Sequence, residues 1–125
     1  MMDNLALEKL INEANLLLVR AEEELQKPKD EMMSFASCQT AKLSMFKLLK
    51  AYLVKHKIEV KEEENLVQLY DKCRAYNTAF NSIPIQEMGC VSGSHCSMEE
   101  YCMDFKYVMQ CVDKAKNIRK LLYQP

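Results

Sequence analysis

Apolar residues return at helical spacing along the first part of the chain: Leu7, Leu10, Ile11, Ala14, Leu17, Leu18, Ala21 and Leu25 form one stripe, with Lys9, Asn12, Glu13, Arg20 and Glu23 opposite. This period predicts a first amphipathic helix. Lys27-Pro28-Lys29-Asp30 then predicts a turn, because the residue before proline is pushed out of the helical region and proline lacks an amide donor. From about Asp30 to Lys57 there is neither proline nor glycine, and Phe35, Cys38, Ala41, Met45, Leu48, Leu49, Tyr52 and Leu53 make a second stripe. Leu43, Phe46 and Val54 add apolar positions on another side of that helix. A helix that is apolar on two sides must touch several neighbours or lend a face to another subunit.

Leu66, Leu69, Tyr70, Cys73, Tyr76 and Phe80 mark a third helix ending near Asn81, with Asn65 placed to cap it. A fourth is expected to start at the Ser97-Met98-Glu99-Glu100 capping box and to carry Tyr101, Phe105, Val108, Met109, Val112, Ala115, Ile118 and Leu122 on its apolar side. Asn81 to Cys96, with Pro84, Gly89 and Gly93, lacks periodicity and is long for a connection. Short extended pieces are conceivable near Val60 and at Ile83-Pro84-Ile85, but strand alternation is otherwise missing. The expected fold is all-α: one domain over residues 1–125, an antiparallel up-and-down bundle of four main helices with a long loop before the last.

Composition agrees with a single domain of 125 residues, 49% of them hydrophobic and 28% charged. No apolar run approaches the roughly 18 to 20 residues of a membrane span. Asp3, Glu8 and Glu13 do not read as an export signal, so no membrane association and a cytoplasmic location are expected. A net charge of -1 offers no global attraction for RNA or nucleotides. Lys42, Lys47, Lys50, Lys55, Lys57 and Lys61 reverse sign at Glu62, Glu63 and Glu64, a pattern better read as a solvated helix face than as a phosphate-binding stripe.

The six cysteines are expected to be reduced, with Cys38, Cys73 and Cys111 filling helix interiors as small hydrophobes. Cys90, His95, Cys96 and Cys102 are the one group resembling a zinc ligand set, yet they contain no Cys-x-x-Cys pair. No metal and no cofactor are expected. Most methionines, including Met45 and Met109, sit at helical spacing and are expected to fill the core. Gly89 and Gly93 build no phosphate loop, and His56 and His95 stand in no hydrolase context or Glu-x-x-His pair.

Several ordered words resemble the HEPN family, small antiparallel bundles of four or five helices. These are Phe35-Ala36, the run Lys47-Leu48-Leu49-Lys50-Ala51-Tyr52-Leu53 followed by Lys57-Ile58, the start Glu64-Asn65-Leu66-Val67-Gln68-Leu69, and the closing Val112-x-x-Ala115-x-x-Ile118-x-x-Leu121-Leu122. The resemblance runs from Leu5 to Tyr123. RNA-cutting members carry Arg, four to six residues, then His, and none of Arg20, Arg74 or Arg119 has a histidine there. Phe46 also stands where the family often has an acidic residue.

The resemblance therefore implies a non-catalytic, self-associating binding module, a homodimer like members encoded beside a minimal nucleotidyltransferase in toxin–antitoxin-like systems. Leu43 and Phe46 are the expected dimer seam. The alternative is a divergent ribonuclease or nucleotide-binding protein whose ligand would meet Lys47, Lys50, Arg74, Tyr76 and Asn77, with no evident general base.

Overall fold

In the computed structural model, which describes residues 4–27, 34–83 and 105–123, the apolar stripes become four α-helices and no strand among the described residues. They are α1 (Asn4–Leu25), α2 (Ser34–Lys55), α3 (Leu66–Tyr76) and α4 (Phe105–Tyr123), with a 3-10 helix at Thr78–Ser82. One core joins them: Leu10, Ala14, Leu18 and Ala21 of α1 meet a broad buried band on α2 and then Val112, Ala115, Ile118 and Leu122 of α4. The capping box at Ser97, most of the long loop, the Pro28 turn, and Cys90, His95, Cys96 and Cys102 lie outside the described residues.

Small residues set how closely α1 and α2 approach. Ser37 and Ser44 are buried, and their hydroxyls donate to the Ala21 carbonyl at 3.1 Å and the Ala14 carbonyl at 2.8 Å. These partners rise in number along α1 as they fall along α2. Burying a hydroxyl is tolerated because each one makes a hydrogen bond. Alanine at 14, 21 and 41, each nearly or fully buried, leaves room for that approach.

α2 contacts α1, α3 and α4, which explains its wide apolar surface. It stops two residues earlier than the composition suggests, at Lys55 rather than Lys57. The Lys57 amide donates to the Val54 carbonyl, the Ile58 amide donates to the Leu53 carbonyl, and Lys57 takes a positive φ of 61°. This is the Schellman arrangement that usually recruits glycine. Beyond it, Ile58 and Val60 pack on the core without forming a strand. The Lys72 ammonium reaches the Glu59 carbonyl and the Glu64 carboxylate, and this bond, with the Lys61 amide, holds the Glu64 carboxyl below its ordinary value.

Asn65 caps α3 as its position suggests, its side-chain oxygen accepting from the Gln68 amide, and its own amide donates back to the Gln68 side-chain oxygen to complete a capping box. The helix does not continue through Phe80. Asn77 leaves the helical region (φ -141°, ψ 108°), and its side-chain oxygen starts the 3-10 helix by accepting from Ala79. Asparagine offers the backbone this local partner, so the chain changes helix type while the apolar spacing continues. Phe80 is buried there, whereas Tyr76, expected on the same stripe, is 52% exposed.

Candidate functional site

A cluster of rings forms where the end of α2 meets the end of α3. Tyr52 and His56 are one turn apart on α2 and face the same way, with ring centroids 4.5 Å apart. Tyr76, the last residue of α3, stands edge-on to Tyr52 at 6.0 Å and tilted against His56 at 4.8 Å. Phe80 closes the buried side at 4.8 Å from Tyr52. The Tyr76 hydroxyl lies 3.2 Å from His56 Nδ1 and donates to it when that nitrogen is unprotonated. The Asn77 amide donates to the Tyr52 hydroxyl at 3.0 Å.

Burial lowers the His56 pKa below its ordinary value, and the neighbouring Lys55 ammonium lowers it further. The imidazole is therefore neutral at neutral pH and able to accept a proton. That group was not marked by the sequence, where His56 stands in no recognised motif. Its signal was the Tyr52–His56 spacing of one helical turn, which becomes informative only once Tyr76 is known to lie opposite.

The five residues singled out as ligand contacts divide between two sides of α2. Tyr76 and Asn77 join the cluster. Asn77 uses both ends of its amide within the fold, on Tyr52 and on the Ala79 amide. Arg74 pairs with Asp71 at 3.2 Å and lies over the Tyr70 ring at 5.6 Å. Lys47 turns to α1, where it reaches Glu13 at 3.8 Å. Lys50 is half-buried on α2. Of the lysine run, Lys55 donates to the Leu122 carbonyl at 2.7 Å, satisfying one acceptor at the end of α4.

The two expected seam residues also part company. Leu43 is 47% exposed, while Phe46 is half-buried and packs against the core of its own subunit. On α1, Leu5, Leu16 and Val19 are 75%, 52% and 47% exposed. An open trough of about 720 Å³ follows α1 from Leu5 to Leu16, with Glu8, Lys9, Asn12 and Glu13 along it. The apolar stripe of α1 read from sequence is its core side, and these leucines lie on the other.

Cys73 and Cys111 are buried free thiols. Burial pushes the Cys73 thiol up to about 12, and its sulfur approaches the Leu49 carbonyl at 3.7 Å, so it is a packing group, not a nucleophile. The Cys38 side chain lies outside the described ones. Met45 is fully buried as expected, but Met109 is 42% exposed. No group of three or more histidine, cysteine or carboxylate side chains suited to a metal occurs among the described residues, and no helix among them is long and apolar enough to cross a membrane. Comparison of the chain with protein-family models, curated proteins and solved structures finds no match.

Proposed function

We propose that this chain is a non-catalytic helical module that self-associates, with Leu43 in the contact. The carrying observation is that Leu43 remains 47% exposed on α2 while Ala41, Met45, Leu48, Leu49, Ala51, Tyr52 and Leu53 of that helix are buried, and the helix contacts α1, α3 and α4. Apolar surface that the subunit leaves uncovered is available to a partner when it belongs to a contiguous patch, and Leu43 is proposed as part of one. Phe46 contributes less to such a seam, because part of its ring is already covered within the subunit.

An antiparallel, HEPN-like bundle paired with a minimal nucleotidyltransferase is the biological setting proposed, and it rests on the sequence words alone. Light scattering over micromolar concentrations tests the self-association. A dimer that dissociates on Leu43→Glu is the expected result, and a wild-type monomer throughout would overturn it.

A second reading, nucleotide or RNA binding, is favoured by one observation, the neutral His56 imidazole against the exposed Tyr76 hydroxyl. It supplies the proton acceptor that Arg74 and its neighbours lack. Labelled RNA incubated with wild type, His56→Ala and Arg74→Ala separates the two readings. Cleavage that is lost in both variants would replace the non-catalytic proposal.

A further inference from the structure

Beside the Glu22–Lys116 ion pair, the end of α1 and the first half of α4 bound a small cavity of about 180 Å³. Glu22 and Leu25 reach it from α1, and Met109, Val112, Asp113 and Lys116 from α4, at the steps of three and four that set side chains on one side of a helix. Its floor is apolar. Val112 is buried and Leu25 packs against the core, while Met109, expected to be a core residue, is 42% exposed where it lines the cavity.

The rim is charged and unbalanced. Glu22 and Asp113 share it with a single ammonium, that of Lys116, which lies 3.4 Å from Glu22. Asp113 makes no hydrogen bond or ion pair among the described residues. The last turn of α1 adds to the negative excess. It holds Glu22, Glu23 and Glu24 and no basic residue, at the helix end whose carbonyls already carry negative partial charge. A cavity that is apolar below and short of one positive charge above complements a ligand with an aliphatic body and a cationic head. Its volume is under the roughly 300–1,000 Å³ of pockets for larger ligands, which limits that body to a short chain.

We infer that this cavity binds a small primary aliphatic amine, its methylenes against Leu25, Met109 and Val112 and its ammonium on Asp113 and Glu22. Met109 suits the wall, because an unbranched thioether adapts to chains of different length. The assignment is independent of the self-association proposed above, which uses α2.

Titrating the isotope-labelled full chain with n-butylammonium, followed by amide NMR, tests it. Saturable shifts centred on Gln26, Val112 and Asp113 are expected at millimolar concentrations. Methylammonium keeps the charge and loses the body, so it should bind at least about tenfold more weakly. Butyrate, with the same body and the opposite charge, should not saturate. Asp113→Asn, at an exposed position, should weaken butylammonium binding about three- to tenfold. Lys116→Gln removes the ammonium already on the rim and frees Glu22, so it should tighten binding by about threefold. Circular dichroism verifies that both variants keep their helicity. Methylammonium binding as well as butylammonium would show attraction by the carboxylates alone, and butyrate binding as well would show an apolar dent alone. Either result overturns the assignment, as does a titration that never saturates or a Lys116→Gln variant that binds no more tightly than wild type.

Discussion

The Ser44 hydroxyl donates to the Ala14 carbonyl at 2.8 Å in the fully buried contact between α2 and α1. It acts as a peg whose small volume matters as much as its bond. Ser44→Ala should lower unfolding free energy by only about 0.5–1.5 kcal/mol, the net worth of one hydrogen bond. Ser44→Leu should cost about 1–3 kcal/mol or more through overpacking. Urea unfolding midpoints of the two variants provide the check, and a leucine variant as stable as the alanine one would mean that the helices are not in close contact there.

Lys57 occupies the left-handed position that ends α2, with φ of 61°. A lysine Cβ is disfavoured in that region by about 1 kcal/mol, and glycine is not. Lys57→Gly should therefore raise stability by up to about 1 kcal/mol, less the entropy glycine adds to the unfolded chain. A fall in the denaturation midpoint would contradict the cap geometry.

Asn77 ties three elements together, accepting from Ala79 while donating to Tyr52. Asn77→Ala should lose about 1–2 kcal/mol of stability with no ligand present. A residue serving only a ligand would leave the unliganded protein unchanged, so the thermal midpoint of the apoprotein decides between the two roles.

The His56 pKa is depressed in the folded chain, first by burial and then by Lys55. A depressed histidine means that the unfolded chain binds the proton more readily. Its contribution to stability is therefore present above the ordinary value near 6.5 and falls as pH drops through and below it. Proton NMR should show His56 titrating below its ordinary value, with Lys55→Gln moving it part of the way back. A midpoint at or above the ordinary value would remove the neutral imidazole on which the nucleotide-binding reading depends.

Burial raises the Cys73 thiol to about 12, so its thiolate is negligible at neutral pH. Alkylation of native protein followed by peptide mapping should leave Cys73 and buried Cys111 unmodified until denaturant is added. Rapid native labelling of either would show that the core opens readily at that point.

Part of the candidate site was legible before folding was known. Tyr76 and Asn77 are among the ligand contacts that the family resemblance implies, and both belong to the cluster. Lys47 stands with them in the sequence only through the family resemblance, which implies a shared polar cleft between the second and third helices, but its side chain turns to Glu13 on α1. His56 stands in no motif along the chain, because its partner Tyr76 arrives from a different helix.

Period and capping chemistry are local, and they sufficed to specify that α1, α2 and α3 form, that Asn65 begins α3, and that Ala14, Leu18, Leu48 and Ile118 are core residues. The stop of α3 at Tyr76 escaped them, since apolar spacing continues unchanged into a 3-10 turn. Which side of each helix remains uncovered depends on register between helices, and a single helix's period carries no register. Only the packed fold decided that Phe46 tucks against its own core while Leu43 stays half exposed, level with Leu16 across the Ser44–Ala14 contact.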